Sequence, residues 1–84
     1  MNEEFRRRGE KLAAEITAST DQRRAELAEM IATISAYPEG PKFIQNIGLQ
    51  LSEMSPQVMR RMSDTELRLV SAMAELALRE LWFR

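Results

Sequence analysis

The sequence predicts an all-α protein in which a long N-terminal helix packs on two short helices and a hydrophobic C-terminal helix, with the helical bundle completed by oligomerisation. Three observations lead to this fold class. Ala, Leu, Glu and Arg, which favour helices, dominate the composition. The three prolines lie in only two places, and apolar residues recur at helical spacing between them. With 84 residues, the chain is predicted to form one domain, residues 1–84.

The first helix is predicted over residues 2–36, because this segment contains no proline and only one glycine, Gly9. Its apolar residues keep one helical phase throughout, which gives a helix roughly 50 Å long at 1.5 Å per residue. The apolar seam is narrow before Leu27, as in a coiled coil, and wider after it, as in a globular core. A kink near Ser19 is the alternative, since Ser19 and Gln22 imitate a capping box.

Prolines and a glycine then divide the chain into shorter segments. A second helix is predicted over about residues 42–53 and a short third helix over about 56–62, where Ser55 and Pro56 supply an N-cap and a first helical residue. The loop between the first and second helices, residues 37–41, contains three residues that interrupt helices: Pro38, Gly40 and Pro41.

The fourth helix is predicted over about residues 64–82. It begins with a capping box, in which the Ser63 hydroxyl accepts a hydrogen bond from the Glu66 N–H. Its apolar arc covers about 200°, where a surface helix has ~100°. Such a helix must be covered on two or three sides, and the first half of the first helix has no partner of matching length in the chain. The sequence therefore predicts contact with a second chain, either a copy of itself or another protein.

The predicted oligomer interface joins the seam of the first helix to the apolar face of the last. Two of its members, Arg23 and Glu80, place charges within apolar arcs. Either Arg23 spreads its aliphatic stem over the seam while Glu80 frays, or the two pair within or between chains and fix the helix register. The predicted interface residues are Phe5, Leu12, Ile16, Arg23, Leu27, Leu69, Met73, Leu76 and Glu80.

The residue types give no basis for catalysis or metal binding. The chain has no cysteine and no histidine, which removes disulfides, thiolate ligands and the commonest general base. Its paired carboxylates fall on polar helix faces, without an apolar wall that would adapt them to acid–base chemistry. We therefore expect no catalytic residue, cofactor or metal, and no enzymatic activity.

Candidate partner-binding residues are two arginine clusters and two aromatic residues. The arginines either bind phosphates or an acidic partner, or pair with glutamates one helical turn away. Trp82 either packs against the first helix or is a binding anchor. Five methionines form either a plain core or an adaptable groove: Met30, Met54, Met59, Met62 and Met73. The predicted partner-binding residues are Arg6, Arg7, Arg8, Arg60, Arg61, Trp82 and Phe83.

Residues 62–81, MSDTELRLVSAMAELALREL, resemble the helix of the Hha/YmoA nucleoid-associated regulators through the S-D-x-E-L start followed by S-A. The resemblance is confined to this segment, because the long N-terminal helix and the Pro-Gly-Pro loop do not fit that family. It implies a gene-regulation alternative, in which the arginine clusters bind nucleic acid.

Taken together, these patterns predict a small non-enzymatic protein that binds itself and another protein. It would act as a regulator, adaptor or inhibitor, of the kind that phages and plasmids direct against host complexes. A cytoplasmic location without membrane contact is expected, since MNEEFRRRGEK is charged where a signal peptide is apolar. The net charge of −1 gives no overall attraction to nucleic acid, which makes a nucleic-acid-associated regulator the second interpretation.

Overall fold

A computed structural model describes residues 3–49 and 54–83, and within these ranges the protein is all-helical, as predicted. No helix in these ranges is long and apolar enough to cross a membrane. The helices follow in the order α1 Glu3–Glu15, α2 Thr20–Ala36, α3 Gly40–Asn46, α4 Pro56–Arg61 and α5 Asp64–Trp82.

Helix α5 lies at the centre of the fold, with α1 and α2 on two of its sides. Arg8 reaches Glu80 whereas Arg68 reaches the carbonyl of Ile16, so α1 runs antiparallel to α5. Thr20 near the start of α2 contacts Asp64 at the start of α5, and Arg23 further along α2 contacts Ser71 further along α5. These two helices therefore run parallel. Much of the wide apolar arc predicted for α5 is thus buried within one chain: Leu67, Met73, Ala74, Leu76, Ala77 and Leu81.

The single helix predicted over residues 2–36 is not observed, because the chain breaks between α1 and α2. The Ser19 hydroxyl accepts from the Gln22 N–H at 3.2 Å and starts α2, which is the kink that the capping box offered as an alternative. Arg68 of α5 donates to the carbonyls of Ile16 and Ala18, each at 3.0 Å, and so satisfies backbone groups that the break exposes. The N-terminal segment therefore folds back on α5, and the premise that it lacks a partner within the chain is wrong.

The second predicted helix, residues 42–53, begins earlier and ends earlier in the structure, as α3. Gly48 adopts φ 87°, a left-handed conformation that suits glycine and ends a helix. The Leu49 N–H donates to the carbonyl of Ile44 at 3.0 Å and closes the turn. Residues 50–53 of the predicted helix lie outside the described residues.

The third and fourth predicted helices agree closely with α4 and α5. Ser55 caps α4 by accepting from the Val58 N–H at 3.3 Å, and Pro56 is its first helical residue. Ser63 caps α5 by accepting from the Glu66 N–H at 3.1 Å, as the capping box predicts. These two starts depend on local side chains alone, which is why the sequence locates them well.

The corner between α2 and α3 is tight. The Tyr37 N–H donates to the Ile34 carbonyl and the Gly40 N–H to the Tyr37 carbonyl, each at 3.1 Å. Gly40 is buried, and a Cβ atom at this position would overlap the Ile34 carbonyl oxygen. This corner turns the chain so that Ile44 and Ile47 of the next segment enter the core.

Candidate protein-binding site

Two large aromatic side chains are exposed at the C-terminal end of α5. Trp82 is 73% exposed and Phe83 is 86% exposed. With Leu78 and Arg79 they line a surface cavity of about 420 Å³. These four residues are called the C-terminal patch below. Most of the Trp82 side chain is therefore open to solvent, and its role as a binding anchor stays a prediction.

A groove between α2 and α5 continues from the patch, because Leu78 lines both. Its volume is about 350 Å³, and acidic side chains outnumber basic ones along it. It is called the acidic groove below. Its lining residues are Arg23, Glu26, Glu29, Met30, Thr33, Glu75 and Leu78.

Arg23 is buried at the inner end of this groove, with its side chain only 6% exposed. Its Nε donates to Ser71 Oγ at 2.7 Å, and its Nη1 donates to a Glu26 carboxylate oxygen at 2.7 Å. The same Nη1 lies 3.7 Å from a Glu75 oxygen. Nη2 is buried and has no hydrogen-bond partner among the described residues. Arg23 therefore joins α2 to α5 and fixes two carboxylates at the mouth of the groove.

Arg23 and Glu80 do not pair with each other in this chain. Glu80 instead pairs with Arg8, at 3.0 Å between Arg8 Nη1 and the carboxylate. The Arg8 guanidinium also lies over the Phe5 ring, 5.5 Å from its centroid. Each of the two charges thus has partners on a neighbouring helix, and the alternative in which they pair within one chain is not observed.

The predicted oligomer interface lies around α5 inside one chain rather than on a free face. Among the nine residues, five are buried and Glu80 is held by Arg8. Leu12, Ile16 and Leu69 are half-buried between helices. The homo-oligomer and its interface stay predictions. The five buried members are Phe5, Arg23, Leu27, Met73 and Leu76.

The two arginine clusters lie at opposite ends of α5. Arg8 contacts Glu80 near the end of this helix, whereas Arg60 and Arg61 are exposed just before it begins. The 19 residues of α5 separate the clusters by about 28 Å at 1.5 Å per residue. Arg6 is also engaged, with its Nε 3.0 Å from the Glu10 carboxylate. The fold therefore does not gather the arginines, Arg7 included, into one basic surface.

Arg68 is an important residue that the sequence left on the polar face of α5. Besides the two carbonyls of the α1–α2 break, it binds the Asp64 carboxylate at 2.9 Å. Asp64 in turn accepts a hydrogen bond from the hydroxyl of Thr20, the first residue of α2. In the sequence, the Asp64–Arg68 spacing of one helical turn indicates the ion pair between these two residues. It does not indicate the hydrogen bonds from Arg68 to carbonyls more than forty residues earlier.

The pKa of Asp64 is lowered from its ordinary value, first by the Thr20 hydrogen bond and then by the Arg68 hydrogen bond. A group with a lowered pKa in the folded state stabilises the fold above its unfolded pKa, about 3.9 for Asp, and this stabilisation is lost as the pH falls through the folded pKa.

We therefore expect Asp64→Asn to lower the melting temperature at neutral pH and to approach the wild type in acid. Thermal melts at a series of pH values from neutral to strongly acidic would measure the difference between the two proteins. Melting curves that stay equally far apart at every pH would contradict the role assigned to the Asp64 carboxylate.

Comparison with known proteins provides no identity. The chain matches no protein-family model, no curated protein and no solved structure. The resemblance of residues 62–81 to one family of regulators is thus not accompanied by a family match. Among the described residues, no group of three or more acidic side chains is placed to hold a metal ion.

Proposed function

We propose that this chain is a non-enzymatic protein that binds another protein through the C-terminal patch, and that it acts as a regulator, adaptor or inhibitor of its partner. One observation carries the proposal: Trp82 and Phe83 are exposed side by side at the end of a helix whose other apolar residues are all buried or half-buried. Single exposed apolar residues are common, whereas adjacent large aromatics beside a cavity are typical of binding anchors. The small phage or plasmid inhibitor of a host complex remains our preferred biological setting.

Binding energetics agree with an aromatic anchor. Fully burying a side chain of this size contributes about 1.5–3 kcal/mol, and Trp is among the residues most often dominant at interfaces. We expect Trp82→Ala to weaken partner binding by at least about thirtyfold, which corresponds to ~2 kcal/mol. The fold should tolerate the change, because most of the Trp82 side chain contacts solvent.

The experiment is a pull-down with the tagged protein from host lysate, with and without nuclease. The patch variant would carry Trp82→Ser and Phe83→Ser, and the matched control would carry Arg60→Ser and Arg61→Ser. We expect a stoichiometric protein partner that survives nuclease and high salt, is lost with the patch variant and is kept by the control. Circular dichroism would verify that both variants are folded.

The opposite pattern would overturn the proposal. Recovery of nucleic acid, or partners that are lost on nuclease treatment or with the arginine variant, would move the function to the nucleic-acid-associated alternative. Binding to phosphates would also weaken steeply with salt, whereas an apolar interface would not.

We propose that the predicted homo-oligomer also forms through the C-terminal patch, so that a second copy and the partner protein compete for this surface. A closed dimer pairs the same surface on both copies, and the patch holds the two most exposed large apolar side chains of the described residues. Sedimentation of the concentrated protein is expected to give a mass above the 9.7 kDa of one chain. The Trp82→Ser, Phe83→Ser variant should sediment as a monomer, and equal masses for the two proteins would contradict this surface.

A further inference from the structure

The acidic groove limits the kind of partner that reaches the C-terminal patch. Three carboxylates line it, from Glu26, Glu29 and Glu75, against one guanidinium, which leaves a net charge of −2. That guanidinium belongs to Arg23, which is buried and already shared by two of the carboxylates. An approaching partner therefore meets negative charge.

The carboxylates remain accessible to a partner. The side chain of Glu26 is 38% exposed and that of Glu75 is 29% exposed, although both lie near Arg23. Arg79 approaches Glu75 from the solvent side, at 3.5 Å. Glu29 is exposed, and none of residues 3–49 and 54–83 pairs with its carboxylate. Charges at such positions act mainly on the choice of partner and on its rate of association.

The floor of the same groove is apolar. Met30 and Leu78 are half-buried there, and the floor continues into Trp82 and Phe83 of the patch. Along α2 the lining of the groove runs from Arg23 to Thr33, about 15 Å at 1.5 Å per residue, which is nearly three helical turns. An apolar floor between two helices is the surface on which an amphipathic helix binds.

We propose that the partner docks a basic amphipathic helix along the acidic groove, with its apolar side on Met30, Leu78 and Trp82 and its Lys or Arg side chains facing the three glutamates. This inference rests on the proposed function and names the chemistry of its partner. Nucleic acids and anionic membranes are repelled by the same carboxylates. A second copy is the poorer occupant, because the exposed basic residues of α1 alternate with Glu3, Glu4 and Glu10.

The test uses the full chain and labelled synthetic peptides of about fourteen residues. The first peptide would place Leu at helical i, i+3, i+4 and i+7 positions and Lys elsewhere. The second would replace every Lys by Glu, and the third would keep the first composition in an order without an apolar face. Fluorescence anisotropy at low salt would measure each dissociation constant, and we expect only the first peptide to bind.

A single charge reversal tests the groove without disturbing the fold. Glu29 is exposed and unpaired among the described residues, so Glu29→Lys should fold normally. We expect this variant to bind the basic peptide about fivefold to tenfold more weakly than the wild type. The matched control is Glu15→Lys, since Glu15 is also exposed, pairs with none of the described residues and lies outside the groove.

Failure of this inference and failure of the proposed function are distinguishable. Equal binding of the Lys and Glu peptides, no binding of any peptide, or equal effects of Glu29→Lys and Glu15→Lys would overturn the basic helix. The patch would then still be tested by its own variant in the pull-down. A cellular partner that is kept when Trp82 and Phe83 are both replaced by serine would instead overturn the proposed function.

Discussion

Replacing Gly40 by alanine is expected to lower the free energy of unfolding by about 3 kcal/mol, since forced overpacking costs 1–3 kcal/mol and here the obstacle is backbone. The added Cβ atom would overlap the carbonyl oxygen of Ile34, and that oxygen is fixed by the turn that joins α2 to α3. A flexible side chain could move aside, but this backbone atom cannot move without opening the corner. Marginal stability of about 5–10 kcal/mol makes the loss easy to detect.

Urea denaturation of the wild type and of three glycine variants would measure this effect. Gly9→Ala is the first control, because its Cβ atom would lie 2.6 Å from Met73 Cγ, which belongs to a side chain rather than to the backbone. Gly48→Ala is the second, and we expect it to cost about 1–2 kcal/mol for the left-handed backbone alone. A Gly40→Ala protein as stable as the Gly9→Ala protein would show that the corner adapts.

The second large effect is expected at Arg23, where two substitutions should differ sharply. Arg23→Ala removes a buried side chain and leaves a cavity between α2 and α5, so we expect a loss of about 3 kcal/mol. Arg23→Met keeps most of the volume and removes a desolvated charge whose Nη2 has no partner among the described residues. Because buried ion pairs are often replaced by apolar residues at little cost, Arg23→Met should stay within about 1 kcal/mol of the wild type.

Denaturation of both variants, monitored by circular dichroism, would show whether the packed volume of the Arg23 side chain or its ion pairs contribute more to stability. The released carboxylates of Glu26 and Glu75 face the groove and regain water, which is why their cost is expected to be small. Equal losses for Ala and Met would mean that the ion pairs, rather than the packed volume, stabilise this site. Binding of the basic peptide by Arg23→Met should be stronger than by the wild type, because the groove becomes more negative.

Predictions that depend on local signals agreed with the structure. Ser63 located the start of α5, and the strongly apolar pattern of that helix identified the centre of the core. The left-handed backbone of Gly48, which ends α3, was not predicted. The capping signal at Ser19 supported a kink only as an alternative to one continuous helix, because the helical phase of the apolar residues continues across the break.

Features that depend on contacts distant in sequence were not predictable. The break before α2 is stabilised by Arg68, which looks like an ordinary surface residue of α5 until the fold brings it to Ile16 and Ala18. Arg23 was recognised as a charge in an apolar arc, but its partner Ser71 follows only from the parallel course of α2 and α5. The aromatic residues of the patch were identified from the sequence, whereas the acidic groove exists only where two helices meet.

The central position of α5 has a consequence for synthesis of the chain on the ribosome. Helices α1 and α2 bury their apolar faces mainly against a helix that is translated after them. Until residues 64–82 emerge from the ribosome, the apolar faces of the earlier helices lack the helix against which they pack. The carbonyls of Ile16 and Ala18 likewise lack the hydrogen bonds that the Arg68 guanidinium donates in the folded chain. We therefore expect folding to follow translation of α5 in one step, and nascent chains that lack it to be open to proteases.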